Sequence, residues 1–129
     1  MSHRGRRCLP IAAGNAVVIV PSERYPLPAI DLYQVLDTSD VPAGVVNIVT
    51  GPRQELSKTL AAHADVDALW YFADDADGAT AAELASTSNL KQVWTARERR
   101  AWQEGSEAQG REFLRHATQV KNIWIPYGE

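Results

Sequence analysis

The sequence predicts an α/β fold with a mostly parallel sheet and flanking helices. Four short apolar runs, rich in β-branched and aromatic residues, are typical of strands that are buried on both faces. Helical patterns of about ten residues separate these runs, and such alternation is typical of parallel sheets covered by helices. The predicted strands lie at residues 16–20, 45–49, 68–72 and 90–95. The chain has 129 residues, which suits one domain of ordinary size.

The first predicted strand ends at a proline and is followed by polar residues. Residues 17–20 are a continuous β-branched run, and Pro21 ends it because proline cannot donate to a ladder. Ser22 and Glu23 then lie just past the carboxyl end of the strand, where open parallel sheets bind ligands. A helical pattern continues to residue 37, and we expect the helix to begin at Pro28 because proline is tolerated in a first turn.

The remaining elements continue the alternation and then depart from it. Asp74, Asp75 and Asp77 come before a short Ala-rich helical pattern and are candidate caps for it. The last predicted strand alternates its side chains and has no helix after it, unlike a buried parallel strand. In chain order, the further helices and this last strand are predicted at residues 53–62, 80–85, 110–116 and 118–125.

Composition narrows the classes of function. The net charge of −3 and the pI of about 5.6 argue against a nucleic-acid partner, and no apolar run reaches the roughly 20 residues of a membrane span. Cys8 is the single cysteine, which excludes an internal disulfide and suits a cytoplasmic protein. His63 and His116 have no partners at ligand spacing, so we expect no metal.

Several segments together resemble the NAD(P)-dependent aldehyde dehydrogenases. AAGNAVVIVPSERYPLPAIDLYQVLDTSDVPAGVVNIVTG is similar to their cofactor-binding segment, in which one strand ends in Lys-Pro-Ser-Glu and the next reads Pro-Gly-Val-Val-Asn-Val-Val-Gly. LAAHADVDALWYF and SNLKQV continue the likeness, and GREFLRHATQVKNIWIPYGE resembles the C-terminal oligomerisation segment. The resemblance covers nearly everything after residue 8 and implies a Rossmann-like fold with an oligomerisation-type strand at its end.

The resemblance is closest to a degenerate copy of the family fold. It looks like the second copy in the tandem aldehyde dehydrogenases of family sixteen, here truncated. It divides the chain into an unmatched or disordered start (1–9), a degenerate cofactor-binding-type α/β domain (10–105), and a C-terminal helix and oligomerisation strand (106–129).

The catalytic parts that the family implies are missing from this segment. The family oxidises aldehydes to acids with a cysteine nucleophile and a glutamate base, but Cys8 lies before the first strand, outside the matched region. The alignment through residues 89–93 places Ala96 at the base position, and Glu98 is two residues out of register. The oxyanion-hole asparagine belongs to a segment upstream. We therefore expect no catalytic residues and an inactive chain.

The cofactor-binding parts are altered rather than missing. The family's ribose-binding lysine is Val20 here, and its phosphate-binding Phe-Thr-Gly-Ser is Phe-Ala-Asp-Asp, which places Asp74 and Asp75 where a phosphate would lie. Like charges repel by roughly 1 to 4 kcal/mol at about 4 Å, so we expect NAD(P) not to bind tightly. The resemblance assigns vestigial cofactor-binding roles to Pro21, Ser22, Glu23 and Gly51.

Three interpretations of function follow. The first is a pseudo-domain that assembles with a catalytic aldehyde dehydrogenase copy or with itself. The second is a weak dinucleotide-binding module that needs a partner catalytic domain. The third, compatible with the first, is a truncated gene product. An apolar strand that no helix covers is an association site, and the assembly residues are Val120, Ile123, Trp124 and Ile125.

Overall fold

A computed structural model of the chain describes residues 8–97, 100–102, 104, 110–120 and 122–125. Strands alternate with helices as far as the fourth strand, which confirms the predicted α/β class. The elements are α1 (Cys8–Ala12), β1 (Val17–Ile19), α2 (Leu27–Asp37), β2 (Val46–Ile48), α3 (Arg53–Ala62), β3 (Ala68–Tyr71), α4 (Ala76–Ala85), a 3₁₀ turn (Ser86–Ser88), β4 (Gln92–Thr95) and α5 (Arg111–His116).

The four strands form two parallel pairs. β1 pairs with β2, with Val17 opposite Val46, and β3 pairs with β4, with Trp70 opposite Trp94. The prediction of one continuous sheet is therefore wrong for the described residues, in which the ladders form two separate two-stranded sheets. The apolar runs indicate where strands form, but they carry no information about which edges meet across a long sequence separation.

Capping explains where the fourth helix begins. The sequence predicted an Ala-rich helix at residues 80–85, with Asp74, Asp75 and Asp77 before it as candidate caps. The structure begins α4 at Ala76, since the side chain of Asp75 accepts a hydrogen bond from the backbone N–H of Gly78 and caps the first turn. α2 begins at Leu27, with Pro28 in its first turn as expected.

Small residues pack the helices closely on one face of the β3–β4 sheet. Leu69 and Tyr71 point toward α3 and α4, and they are buried against Ala61, Ala79 and Ala82. Alanine allows close approach of a helix to a sheet because it has only a methyl group to accommodate. This layer is the main apolar core of the described residues.

A buried lysine closes the end of α3. Lys91 Nζ donates to the carbonyl oxygens of Leu60 (3.2 Å) and His63 (2.7 Å), where a helix leaves carbonyl groups without partners. Burial lowers the pKa of Lys91. Asn89 Nδ2 donates to the carbonyl of Ala64 at 2.8 Å, so two side chains from the segment before β4 stabilise the same corner.

Aromatic rings fill the other face of the β3–β4 sheet. Trp70 and Phe72 lie opposite to Tyr71, as expected for consecutive strand residues, and both contact Trp94 in edge-to-face geometry at centroid distances of 5.2 and 4.9 Å. Phe113 of α5 adds a ring 5.0 Å from that of Trp94 and is 2% exposed. α5 therefore covers this face of the sheet.

The predicted C-terminal strand is not formed. Residues 118–120 and 122–125 have no strand assignment, which corrects the expectation of a strand at 118–125. A strand is defined by ladder hydrogen bonds to a neighbour, and none of the described residues provides a neighbouring strand here. The four assembly residues are largely exposed, Val120 at 89%, Ile123 at 83%, Trp124 at 91% and Ile125 at 70%.

Candidate functional site

A first cleft opens where β1 and β2 end. It has a volume of about 290 Å³ and lies between the segments that follow the two strands. Because β1 and β2 are parallel, their carboxyl ends meet at the same edge, and residues 30 positions apart come together. All four residues of the predicted cofactor set line this cleft: Pro21, Ser22, Glu23 and Gly51.

The carboxylate of Glu23 binds the start of a helix. Its Oε1 accepts a hydrogen bond from the backbone N–H of Arg53, the first residue of α3. A helix N-terminus leaves N–H groups without partners and carries positive potential, so both effects favour a carboxylate there. Glu23 therefore caps α3 in this structure. This role is an alternative to the ribose contact that the family resemblance implies for Glu23.

A second cleft opens where β1, β3 and β4 end. Its volume is about 360 Å³. The three strand ends meet here although no ladder joins β1 to β3 in the described residues. The lining comprises Val20, Pro21 and Ser22 after β1, Phe72, Ala73 and Asp74 after β3, Ala96 after β4, and Arg53, Arg100 and Trp102.

The residue at the family's base position is apolar. Ala96 donates its backbone N–H to the carbonyl of Tyr71 at 3.0 Å, which extends the β3–β4 pairing by one bond. Its methyl group lines the second cleft, so no proton acceptor comes from this position. Glu98, the nearest carboxylate in sequence, lies outside the described residues, as does the side chain of Cys8.

Asp75 lies at the centre of a polar cluster beside the second cleft. Its Oδ1 accepts from the N–H of Gly78 at 3.0 Å, and its Oδ2 accepts from the Tyr71 hydroxyl at 3.3 Å. Arg53 Nη2 is 3.8 Å from Oδ2. The Gly78 N–H has the largest effect and lowers the pKa of Asp75. Burial has the next largest effect and raises this pKa, while Tyr71, Arg53 and the N–H of Asp77 lower it further.

This geometry confirms the expected cap role of Asp75 and gives the two aspartates different surroundings. Asp74 is exposed and lines the second cleft, whereas Asp75 faces the N-terminus of α4. The sequence reasoning missed Tyr71, Arg53 and Gly78 as members of the cluster. The one signal available was the three-residue spacing from Asp75 to Gly78, which matches an N-cap and the backbone donor it reaches.

A second polar group borders the same cleft on the aromatic side. Arg100 Nη2 lies 2.7 Å from a carboxylate oxygen of Glu112 on α5. Its guanidinium carbon lies 4.8 Å from the ring centroid of Trp94 and 5.5 Å from that of Phe113. The charged segment after β4 is therefore tied to α5, a link that its irregular sequence pattern did not indicate.

The groups that a dinucleotide would contact are apolar or engaged within the chain in this arrangement. Val20 offers no donor to a ribose, the carboxylate of Glu23 is engaged by α3, and the Gly78 N–H at the start of α4 is engaged by Asp75. Within the described ranges, no three His, Cys, Asp or Glu side chains gather as metal ligands. No helix among these residues has the length and apolar character needed to cross a membrane.

Comparisons with known proteins agree on one family. A model of the aldehyde dehydrogenase family matches residues 5–96. The chain is 39% identical over 84 residues to the NADP/NAD-dependent aldehyde dehydrogenase PuuC of Escherichia coli (strain K12), covering 65% of this chain and 17% of that protein. It is 32% identical over 83 residues to an aldehyde dehydrogenase of Emericella nidulans, covering 64% and 17%. The chain thus spans about a sixth of the length of these relatives.

The family match includes the first cleft and the lining of the second cleft except Arg100 and Trp102. Residues 5–96 contain β1 to β4, the four residues of the cofactor set and the position of Ala96. The matched segment is longer than half of the chain, and both relatives carry the activity of the family in their names. The chain belongs to the aldehyde dehydrogenase family.

Proposed function

We propose that this chain is a non-catalytic aldehyde dehydrogenase-type domain that serves assembly with a catalytic copy of the family or with itself. The model for this role is the degenerate second copy of the tandem aldehyde dehydrogenases of family sixteen. The observation that carries the proposal is the exposed apolar tail, residues 120–125, in which Val120, Ile123, Trp124 and Ile125 are 70–91% exposed.

The energetics of the tail favour association. The tail has four large apolar side chains within six residues. Full burial of one such side chain is favourable by about 1.5–3 kcal/mol relative to leaving it in water. An extended segment with open main-chain groups can add to the edge of a sheet in another subunit, with hydrogen bonds for affinity and side-chain pockets for specificity. We infer that the tail becomes a strand only when such an edge pairs with it.

The loss of catalytic groups supports a role other than chemistry. Ala96 replaces the base, and loss of a general base alone costs about 100- to 10,000-fold in rate. Cys8 is the single cysteine of the 129 residues and lies in α1, before the first strand. Within this chain, the alanine at the position that the resemblance assigns to the base favours a role in holding a partner.

Removal of the tail tests the assembly role. Deletion should begin at residue 120, because the carbonyl of Ala117 accepts a hydrogen bond from Asn15 Nδ2 at 2.8 Å and belongs to the folded domain. Light scattering should show a dimer or larger species for the full chain and a monomer for the truncated chain.

The matched control replaces an exposed apolar residue elsewhere. Leu84 on α4 is 67% exposed, and Leu84→Asp should leave the association of the full chain unchanged. The double variant Ile123→Asp, Ile125→Asp should act like the truncation. A monomeric full chain that also fails to bind a catalytic copy in the same measurement would refute the proposal.

A weak dinucleotide-binding module is the second candidate. The observation that favours it is the first cleft, which brings together all four residues of the predicted cofactor set. Calorimetric titration separates the two candidates. Under our proposal the dissociation constant for NAD is above roughly 1 mM, which corresponds to a binding free energy of about −4 kcal/mol. A micromolar dissociation constant would favour the binding module.

A further inference from the structure

The start of α4 carries a set of donors suited to an anion. The backbone N–H of Gly78, the hydroxyl of Tyr71 and the guanidinium of Arg53 converge on one point, and the N–H of Asp77 acts on the same group. Helix N–H groups together with an arginine are the usual means by which proteins bind phosphate groups. The group at that point is the carboxylate of Asp75, from the same chain.

We infer that Asp75 is an internal anion that occupies the N-terminus of α4 and so excludes phosphate ligands by occupation. This inference goes beyond the proposed assembly role and does not depend on it. It also differs from exclusion by repulsion, because a repelling charge acts from a distance and leaves the donors available. Here the Gly78 N–H and the Tyr71 hydroxyl already hold a partner that is present at very high effective concentration.

The close packing of the cluster supports occupation. A methyl group on Gly78 would overlap the Tyr71 hydroxyl and would lie 3.0 Å from Cγ of Asp75. The lack of a side chain at Gly78 therefore lets the carboxylate and the phenol reach the helix end together. A second anion at the Gly78 N–H would have to displace the Asp75 carboxylate, which accepts from that donor at 3.0 Å.

Glu23 repeats the arrangement at the neighbouring helix. Its carboxylate accepts from the N–H of Arg53 at the start of α3, while the Arg53 side chain extends to Asp75. The chain's own carboxylates thus engage the first turns of α3 and α4. At both helix starts, a carboxylate from the same chain accepts a hydrogen bond from a backbone N–H, which supports occupation as a feature of this surface.

The test uses inorganic pyrophosphate as the probe, titrated by calorimetry at constant ionic strength. Asp75→Gly removes the internal anion and keeps a residue that N-cap positions accept. We expect pyrophosphate to bind this variant about 10- to 100-fold more tightly than the unaltered chain, the range for one or two charge-assisted hydrogen bonds. The thermal midpoint of the variant should rise with pyrophosphate concentration, and above saturation it should rise with the logarithm of that concentration.

Two variants separate occupation from repulsion. Asp75→Asn removes the charge but keeps the shape and the cap, so occupation predicts no gain in pyrophosphate binding. Asp74→Asn removes the exposed charge that lines the second cleft, and occupation again predicts no gain. Equal gains in Asp75→Asn or Asp74→Asn would overturn the inference in favour of repulsion.

A shorter side chain guards against a folding defect. If Asp75→Gly does not fold by circular dichroism, Asp75→Ser retains a hydroxyl that can accept from the Gly78 N–H and frees the donors of Tyr71 and Arg53. Asp75→Ser should then show the gain in pyrophosphate binding. Folded Asp75→Gly or Asp75→Ser that binds pyrophosphate no better than the unaltered chain would overturn the inference.

Discussion

At the scale of single residues, Gly78 determines whether the polar cluster can form. A glycine in a helix is usually a weakness, because alanine is favoured there by about 1 kcal/mol. Gly78 is retained in the first turn of α4 where the Tyr71 hydroxyl and the Asp75 carboxylate approach its Cα. The close approach of these two groups outweighs helix propensity at this one position.

Gly78→Ala should therefore destabilise the chain. The added methyl group must displace the Tyr71 hydroxyl or the Asp75 side chain, and overpacking of this kind costs about 1–3 kcal/mol against a propensity gain of about 1. Urea unfolding gives the change in free energy. Thr80→Ala on the exposed side of the same helix is the control and should change the stability little. An unchanged or higher stability of Gly78→Ala would contradict the geometry of the cluster.

At the scale of elements, α5 is held to the sheet by stacked and edge-on rings. The imidazole of His116 stacks on the indole of Trp94 at a centroid distance of 4.0 Å and 12° between planes. Gln92 Nε2 lies 3.3 Å from His116 Nδ1. Burial lowers the pKa of His116, and the positive charges of Arg115 and Arg100 lower it further, while Glu112 opposes them.

This lowered pKa predicts that acid weakens the attachment of α5. A histidine whose pKa is lower in the folded state binds fewer protons than in the unfolded chain, so its contribution to stability is present above the ordinary value near 6.5 and is lost as the pH falls below it. The free energy of unfolding should be lower at about pH 5.5 than at about pH 7.5.

Two variants assign this pH dependence to one side chain. His116→Gln should flatten the profile between these two pH values, because glutamine does not titrate. His63→Gln changes an exposed histidine at the end of α3 and should retain the original profile. If the free energy of unfolding still depends on pH in His116→Gln, a group other than His116 causes that dependence. The comparison stays above the range in which Asp75 and Glu83, whose pKa values are lowered, gain protons.

At the scale of the whole molecule, the described part of the chain combines the parallel strands of the family with an alanine at the position that the resemblance assigns to the base. The parallel pairs and their clefts are in place, yet a methyl group stands at the base position. A mixture of the purified chain, NAD or NADP and small aldehydes should produce no reduced cofactor above the blank. The absorbance of the reduced nicotinamide measures how much reduced cofactor forms.

The variant Ala96→Glu makes this prediction stricter. It restores a carboxylate at the base position, but the chain still lacks a cysteine at the second cleft within the described residues. Ala96→Glu should therefore produce no reduced cofactor in the same assay, because the reaction needs a nucleophile as well as a base. Aldehyde-dependent reduction by either protein would show that Cys8 or another group acts as the nucleophile.

The sequence by itself determined the class of fold, the family and one cleft. Runs such as residues 17–20 identify strands through local side-chain preference, and Pro21 marks where the first strand ends. Parallel strands bring their carboxyl ends to one edge, so the grouping of Ser22, Glu23 and Gly51 follows from the order of elements alone. These features depend on short-range patterns and on topology.

Only the tertiary structure decided which groups each side chain meets. Glu23 and Arg53 are 30 positions apart, and nothing in either neighbourhood indicates that one caps the helix of the other. The same holds for the separation into two strand pairs and for the attachment of α5 through Phe113. The tail gives the clearest case, because its pattern is that of a strand and yet its described residues form none. Hydrogen-bond partners distant in sequence, or absent from the described chain, decide such features, and a local pattern cannot specify them.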